Sequence, residues 1–494
     1  MDEHTLTAQD IIERDPKTAS RDLVKEVAKW KLEARNEDND RYFFHVREAS
    51  TIEDGDYCYV IGRKGSGKTA ISEYLGRITA HDTFAEKLTF KNFPFNELYV
   101  LKNDGFTSPN QYITLWKYVI YSTICKLMSK NENIDSELKA DLEKIYGNES
   151  LTLDRRLSKW VGKEFSVSLF GLSIKVSRDP SKSSDSSWIE RVEILEDVIL
   201  KYADKSRYFV IFDELDEDYR NIIEQSQYNQ YTALVTSLFK AVQDIKSIFK
   251  DRSRYRIFPV VFLRDDIYEI IQDSDKNKWN DFKIELNWDE EKIRKLIAFR
   301  LTRALDPKAT RPMQFERAWE QLVGKQRLRV GTNKRTEIGS FEFIARSTYL
   351  RPRDFVKYLQ ACAQEAVDGD GFIHAATIRK VDTAFSNYLK DELRDELFAI
   401  LPDISGIFDV ISQIGKWNFS HADFDKAYIQ QLRRAGLVQK DVGFVLQVLF
   451  LFSVIGYAQR HDHYVFRYVN RDARINFSNR IVVHRGLFKS LQIV

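Results

Sequence analysis

Apolar runs separated by helical stripes dominate the chain between about residue 55 and residue 290. Three short apolar runs, at residues 57–61, 208–212 and 257–263, predict strands, and the second is continuous enough to be buried on both faces. Around residues 110–130 apolar positions recur every three or four residues, which predicts a helix whose aromatic side chains lie in the core rather than stacking on bases. Strands that alternate with helices are typical of a parallel sheet flanked by helices.

The pattern changes on both sides of this region and predicts four parts. Residues 1–50 are polar and helical, and we expect them to form a leader to a nucleotide-binding domain at 51–290. That domain carries a predicted β-hairpin insertion near 160–180, where apolar residues alternate around a glycine. Residues 291–395 predict a helical lid domain. Residues 396–494 predict three short helices and a β-hairpin, the pattern of a winged helix.

Composition narrows the functional class. The chain has 494 residues, enough for about three domains, and its 76 basic and 74 acidic residues leave a net charge of +2. This balance does not favour a strongly basic nucleic-acid-binding surface, although a local patch stays compatible with it. Three distant cysteines favour neither a disulfide framework nor a zinc site. The sequence shows neither a signal-peptide pattern nor an apolar run of about eighteen residues, so we expect a cytoplasmic protein without membrane contact.

The strongest chemical signal is the glycine-rich stretch "GRKGSGKT" at residues 62–69, which follows a predicted strand and opens a predicted helix. Glycines allow a tight turn that points backbone N–H groups inward, and the helix N-terminus adds positive potential. Lys68 would then reach the β- and γ-phosphates, and the Thr69 hydroxyl would ligate Mg²⁺. We therefore predict a nucleoside triphosphate site. Its expected binding residues are Gly62, Arg63, Lys64, Gly65, Ser66, Gly67, Lys68, Thr69 and Ala70.

A second signal, "YFVIFDELDED", places two carboxylates after the most apolar predicted strand. The carboxyl ends of such strands are where open α/β sheets bind ligands. We expect Asp213 to hold Mg²⁺ and Glu214 to orient the attacking water. Asp216 and the two acids after it are predicted to form a solvated turn, from which one could assist the metal.

Three arginines are further candidates, each with an alternative. Arg264 follows the strand at residues 257–263 and would either sense the γ-phosphate or form an ordinary ion pair at the strand end. Arg351 and Arg353 flank Pro352 at the start of a predicted helix, where Pro is well accommodated. They would either point freely at a neighbouring site or be ordinary exposed charges.

The order of these parts resembles the AAA+/STAND group of P-loop ATPases. More narrowly, "VIGRKGSGKTAI", "LRPRDF" and "IVVHRGLFKSLQI" are similar to a prokaryotic family of P-loop ATPases often found in mobile and antiphage-defence gene sets. The resemblance covers roughly residues 40–494. It implies an α/β P-loop NTPase sheet, followed by a helical lid and a C-terminal winged-helix-like domain.

The resemblance also implies roles for individual residues. Lys68 and Thr69 occupy the Walker A positions, Asp213 and Glu214 the Walker B positions. The chain departs from the group in two ways. The interval between the Walker A and Walker B motifs is long and implies a looped-out insertion. Arg264 occupies the position called sensor 1, where the group usually has Asn, Thr or Ser. Arg353 occupies the position in the lid called sensor 2.

Together these features predict an ATPase that uses ATP and Mg²⁺ to switch conformation or assembly. We expect a homo-oligomer. We also expect a separate effector protein, because the sequence contains no HExxH or GxSxG motif that would indicate a second catalytic site. The alternative is a DNA-binding module in which nucleotide is only a structural switch. A P-loop kinase is disfavoured by Glu214 and the winged helix, and an ABC-type ATPase by the missing LSGGQ signature. The arginines that keep the DNA alternative open are Arg460, Arg467, Arg471 and Arg474.

Overall fold

The computed structural model forms two compact units, one at His45–Asn287 and one that combines the described parts of Met1–Phe44 and Trp288–Val494. The predicted hairpin insertion near 160–180 lies outside the described residues. Among the helices that are described, none is long and apolar enough to cross a bilayer. The structure describes residues 7–78, 80–90, 110–146, 188–216, 225–331, 335–435, 440–460 and 463–493.

The first unit is built on a five-stranded sheet in which every pairing is parallel, with the order β2-β3-β4-β1-β5. Burial runs almost unbroken along β1, β3 and β4, as expected for strands covered on both faces. The predicted parallel α/β sheet is therefore confirmed. The strands are β1 at Tyr59–Gly62, β2 at Thr83–Thr89, β3 at Arg207–Asp213, β4 at Arg256–Arg264 and β5 at Lys283–Glu285.

Helices cover this sheet. The longest apolar one, Ile113–Met128, buries most of its side chains, and the aromatics Trp116, Tyr118 and Tyr121 lie in the core as predicted. The helices of this unit are Arg47–Glu53, Lys68–Gly76, Ile113–Met128, Ser136–Tyr146, Trp188–Tyr202, Gln225–Ile248, Asp265–Ile270 and Lys276–Trp279.

The second unit joins the N-terminal helices to the predicted lid. The apolar faces of two helices, Pro16–Val27 and Glu290–Leu305, are buried in the same core. Arg300 lies 4.4 Å from the ring of Trp30 and 4.6 Å from that of Tyr42. The N-terminal segment is thus helical, and its apolar face packs within this unit.

The elements of this helical part include one β-hairpin, β6 at Arg327–Val330 with β7 at Thr336–Gly339. Its helices are Ala8–Arg14, Pro16–Val27, Asn39–Tyr42, Glu290–Leu305, Phe315–Val323, Ser340–Ala345, Pro352–Val367 and Ala375–Leu397.

The C-terminal module has the predicted winged-helix connectivity. Three helices, Ile404–Ile414, His421–Ala435 and Val442–Leu451, pack against a small sheet of order β10-β9-β11-β8. The loop between β10 and β11, residues 466–480, is the wing of this module. Its strands are β8 at Asn418–Phe419, β9 at Ile455–Arg460, β10 at His463–Val465 and β11 at Ile481–Val483.

Arg351 does not point freely from its helix, contrary to the expectation for the arginine pair. It is 3% exposed, and its Nη2 lies 2.9 Å from Oδ1 of Asp354. Its Nη1 lies 3.5 Å from Oε1 of Glu396. Burial opposes the charge of Arg351, but the two carboxylates outweigh it and raise the pKa of the guanidinium. Arg351 is therefore a buried ion-pair residue that ties the start of Pro352–Val367 to Ala375–Leu397.

We predict that Arg351→Met strongly destabilises the second unit. The substitution leaves Asp354 and Glu396 buried without their cation, a type of loss that costs about 3–5 kcal/mol. Arg394→Met is the matched control, because Arg394 is 45% exposed and its pair with Asp391 belongs to the surface class worth about 1 kcal/mol or less. Denaturant unfolding of both variants measures the difference, and equal losses would contradict the buried-pair assignment.

Candidate nucleotide-binding site

The parallel pairing gathers the predicted site residues at one edge of the sheet. Gly62 ends β1 and is the Cα partner of Arg264, which ends β4. Asp213 ends β3 and is the Cα partner of Thr89, which ends β2. Since the carboxyl ends of parallel strands share an edge, the glycine-rich loop and the two-acid motif open on the same side.

The loop after β1 uses glycine for definite reasons. Gly65 and Gly67 have φ values of +80° and +97°, a left-handed conformation that side chains with a Cβ rarely adopt. A Cβ on Gly62 would stand 2.5 Å from the Ser66 hydroxyl and 3.2 Å from Cβ of Leu286, so a side chain at this position would displace its neighbours. The helix Lys68–Gly76 begins directly after Gly67. The loop and the helix start therefore present backbone N–H groups together, as an anion site requires.

Lys68 is held at the mouth of this loop. Its ammonium donates to the backbone carbonyl of Gly62 at 2.7 Å and to that of Arg63 at 3.0 Å. Burial lowers the pKa of Lys68, while the nearby carboxylates of Asp216 and Asp265 act in the opposite direction. A partly desolvated ammonium with acids around it is a strong point charge for a phosphate group.

The remaining predicted loop residues lie in the same short segment. The amide of Ser66 donates to the carbonyl of Arg63 at 3.1 Å, which closes a tight turn. Among these remaining residues, Ser66 is buried, and the partly buried ones are Arg63, Lys64, Thr69 and Ala70.

Asp213 is the most enclosed acid of the site, with 2% of its surface exposed. Its Oδ2 accepts a hydrogen bond from the Ser72 hydroxyl at 2.6 Å and lies 2.9 Å from the ammonium of Lys87. Its Oδ1 accepts the backbone N–H of Glu214 at 3.0 Å. Neither Ser72 nor Lys87 belongs to a motif that the sequence predicts. Ser72 could have been found, because it lies three residues after Thr69 on the same helix face.

Glu214 has a different environment although it is the next residue. Its φ of +60° is unusual for a residue with a side chain and carries a backbone cost. The hydroxyl of Thr89 donates to its Oε2 at 2.6 Å. The left-handed turn and the contact with Thr89 together hold this carboxylate at the end of β2.

Arg264 is tied into an ion-pair cluster and is 4% exposed. Its guanidinium donates to both carboxylate oxygens of Asp266, at 3.0 and 2.6 Å, and lies 3.3 Å from Asp216. The strand-end ion pair, one of the two interpretations of Arg264, is thus present. Asp216 was predicted to belong to a solvated turn and instead pairs with Arg264, while the two acids after it lie outside the described residues.

The Mg²⁺ ion that the motif implies needs hard oxygen ligands, and the residues here fit it. Within the described residues no group of three or more His, Cys, Asp and Glu could hold a metal alone. At nucleotide sites, however, Mg²⁺ takes one or two carboxylates, with water and substrate phosphates as its other ligands. Oδ1 of Asp213 accepts one hydrogen bond among the described residues, which leaves a lone pair, and Thr69 adds a hydroxyl in the first helical turn.

Arg353 belongs to the second unit and has its own partners there. Its guanidinium lies 3.1 Å from Glu33 of the N-terminal segment and 3.6 Å from Glu392, and its side chain is 19% exposed. Of the two arginines around Pro352, Arg353 is therefore the more accessible one.

One family model matches part of the chain. Residues 291–394 correspond to a family described as the FunZ-associated C-terminal helical domain, which covers about a fifth of the chain. The match lies within residues 291–395, which the sequence predicts to form the lid. A comparison with curated proteins found no match.

Several solved structures resemble the chain over most of its length, with low scores. The Orc1 protein of Aeropyrum pernix, solved in complex with DNA, is 9% identical with a TM-score of 0.34, and 90% of each chain is covered. Drosophila ORC bound to DNA is 11% identical with a TM-score of 0.27, covering 100% of this chain and 94% of that one. Cdc6p from Pyrobaculum aerophilum is 11% identical with a TM-score of 0.28, covering 88% and 86%. At these values the similarity assigns neither a family nor an activity.

Proposed function

We propose that the chain is an ATP-binding and ATP-hydrolysing molecular switch. One observation carries the proposal: a P-loop lysine, a buried acid and a second acid in a different environment meet at one edge of one parallel sheet. In this assignment Lys68 and the backbone N–H groups of the loop bind the β- and γ-phosphates. Thr69 and Asp213 hold Mg²⁺, which when bound supplies charge neutralisation at the phosphates.

Hydrolysis assigns separate tasks to the two acids. Asp213 accepts hydrogen bonds from Ser72, Lys87 and the Glu214 amide, so it is suited to positioning. Glu214 accepts the Thr89 hydroxyl at the end of the neighbouring strand, and we assign this second carboxylate to orient and polarise a water. Such a reaction needs little beyond positioning and charge stabilisation.

The biological setting we propose is bacterial antiphage defence. Its support is the resemblance of "VIGRKGSGKTAI", "LRPRDF" and "IVVHRGLFKSLQI" to ATPases of such gene sets. The chain would act in the cytoplasm as a homo-oligomer and as the sensor component. A separate effector protein would then carry out the defence reaction, since the sequence contains no second catalytic motif.

The central experiment compares Lys68→Ala with Glu214→Gln. Lys68→Ala removes a charged phosphate contact, so ATP affinity should fall by about tenfold or more. Glu214→Gln should retain Mg²⁺-ATP and slow hydrolysis by a factor on the order of 10²–10⁴. Calorimetry and steady-state phosphate release measure the two effects. Unchanged binding in Lys68→Ala would refute the P-loop assignment, and wild-type turnover in Glu214→Gln would place the catalytic acid elsewhere.

A second prediction concerns Arg353, which we propose couples nucleotide state to the helical domain. A charge that interacts with ATP more strongly than with ADP can bias a two-state equilibrium. Arg353→Ala should lower hydrolysis and abolish the ATP-versus-ADP difference in limited proteolysis, with ADP affinity kept within a few-fold.

The control for Arg353 removes its two described partners. The double variant Glu33→Gln/Glu392→Gln leaves the guanidinium in place but removes both ion pairs. If this variant reproduces the loss seen in Arg353→Ala, the arginine only ties Glu33 to Glu392 and does not sense nucleotide.

An alternative function, DNA binding by the winged helix, is favoured by the wing at residues 466–480. This loop contains four arginines, of which Arg474 and Arg480 are exposed, and a single acid, Asp472. If the wing contacts phosphates, Arg471→Gln/Arg474→Gln should reduce the salt slope of duplex binding by roughly 2. Fluorescence anisotropy at several salt concentrations measures this slope, with Arg394→Gln as a control outside the module. An unchanged slope would eliminate the wing as a DNA contact.

A further inference from the structure

Lys87 occupies a place at the site that the motifs do not assign. Its ammonium lies 2.9 Å from Oδ2 of Asp213 and 2.7 Å from Oε1 of Glu73. The side chains of Lys87, Asp213 and Glu73 are 15%, 3% and 17% exposed. One lysine therefore bridges two poorly solvated carboxylates, one on β3 and one on the helix that follows the P-loop.

This arrangement affects how Asp213 can interact with a second cation. The same carboxylate oxygen accepts the Ser72 hydroxyl, so the position and the charge of Asp213 are both fixed by its neighbours. At poorly solvated sites Coulomb interactions are several times stronger than in bulk water. Any metal ion that shares Asp213 with Lys87 is repelled by the ammonium and finds a carboxylate that is already partly neutralised.

We propose that Lys87 is a positioning residue that competes with Mg²⁺ for the charge of Asp213 and so sets the Mg²⁺ concentration at which the site takes up nucleotide. This inference rests on the proposed function, because it assigns a regulatory role within the same site. Glu73 is the second acceptor in the arrangement. A stronger ion pair between Lys87 and Glu73 weakens the ion pair between Lys87 and Asp213, and loss of the Glu73 charge strengthens the ion pair with Asp213.

The neighbouring residue on β2 provides a matched control. Glu86 pairs with Lys126 at 2.9 Å, and these side chains are 12% and 14% exposed, close to the values for the Lys87 cluster. Successive residues of a strand point to opposite faces, so this pair lies on the other side of the sheet from Lys87. Lys126→Met thus removes an ammonium of similar burial without touching Asp213.

The experiment measures equilibrium binding of a fluorescent, non-hydrolysable ATP analogue over a series of free Mg²⁺ concentrations. Lys87→Met should lower the Mg²⁺ concentration at half-saturation by about threefold to tenfold. Glu73→Gln should raise it, because the charge of Glu73 is lost and the ammonium of Lys87 keeps its ion pair with Asp213. Lys87→Arg should stay near the wild type, and Lys126→Met should not shift the midpoint. Thermal unfolding of each variant without nucleotide reports separately on stability.

Each outcome decides between the two roles. If Lys87→Met and Lys126→Met lose similar stability and neither shifts the Mg²⁺ midpoint, Lys87 is a structural ion pair and the inference is wrong. A shift of Glu73→Gln in the same direction as Lys87→Met also overturns it, and this arm remains informative if Lys87→Met does not fold. If the wild type binds no nucleotide at any Mg²⁺ concentration, the proposed function itself fails and the inference with it.

Discussion

The parallel pairing of the five strands β2-β3-β4-β1-β5 fixes where the polar groups at the ends of the strands can lie. Backbone N–H and C=O groups of buried strands must find partners, so the register of such a sheet has little freedom. Here the register places Gly62 beside Arg264 and Asp213 beside Thr89. Residues far apart in sequence therefore reach the same edge because their strands end together. The loop, the acids and the arginine cluster are all consequences of this alignment.

Charge balance is the second constraint on that edge. Each poorly solvated cation lies close to carboxylates, since an unpaired buried charge is costly. Lys87 is paired with two acids, and Arg264 is paired with Asp266 and Asp216. Lys68 instead donates to backbone carbonyls, with acids only in its surroundings. It is thus the cation of this cluster best placed to exchange its present contacts for an anionic ligand.

The sequence predicted those parts of the site that are formed by residues adjacent in the chain. The P-loop and the pair Asp213–Glu214 follow directly from local patterns. Lys87 was missed because its contact with Asp213 depends on β2 lying next to β3, and β2 has too mixed a pattern to be recognised as a strand. The partner of the N-terminal helices could not be read from the sequence, since an amphipathic stripe shows that a face is buried and not against which element it packs. Arg351 and Arg353 look equivalent in sequence, and only the fold shows that Asp354 and Glu396 pair with Arg351.

The different environments of Asp213 and Glu214 follow from the backbone between them. In a continued strand, successive side chains point to opposite faces of the sheet, so the carboxylates of Asp213 and Glu214 would point away from each other. The strand ends at Asp213, and the left-handed φ of Glu214 redirects the next carboxylate toward the end of β2. There Thr89 donates a neutral hydroxyl, whereas Asp213 meets an ammonium and a second hydroxyl. The left-handed turn at Glu214 thus places two carboxylates, one residue apart, against different hydrogen-bond donors, and the separate roles that we propose for them in ATP hydrolysis depend on this difference.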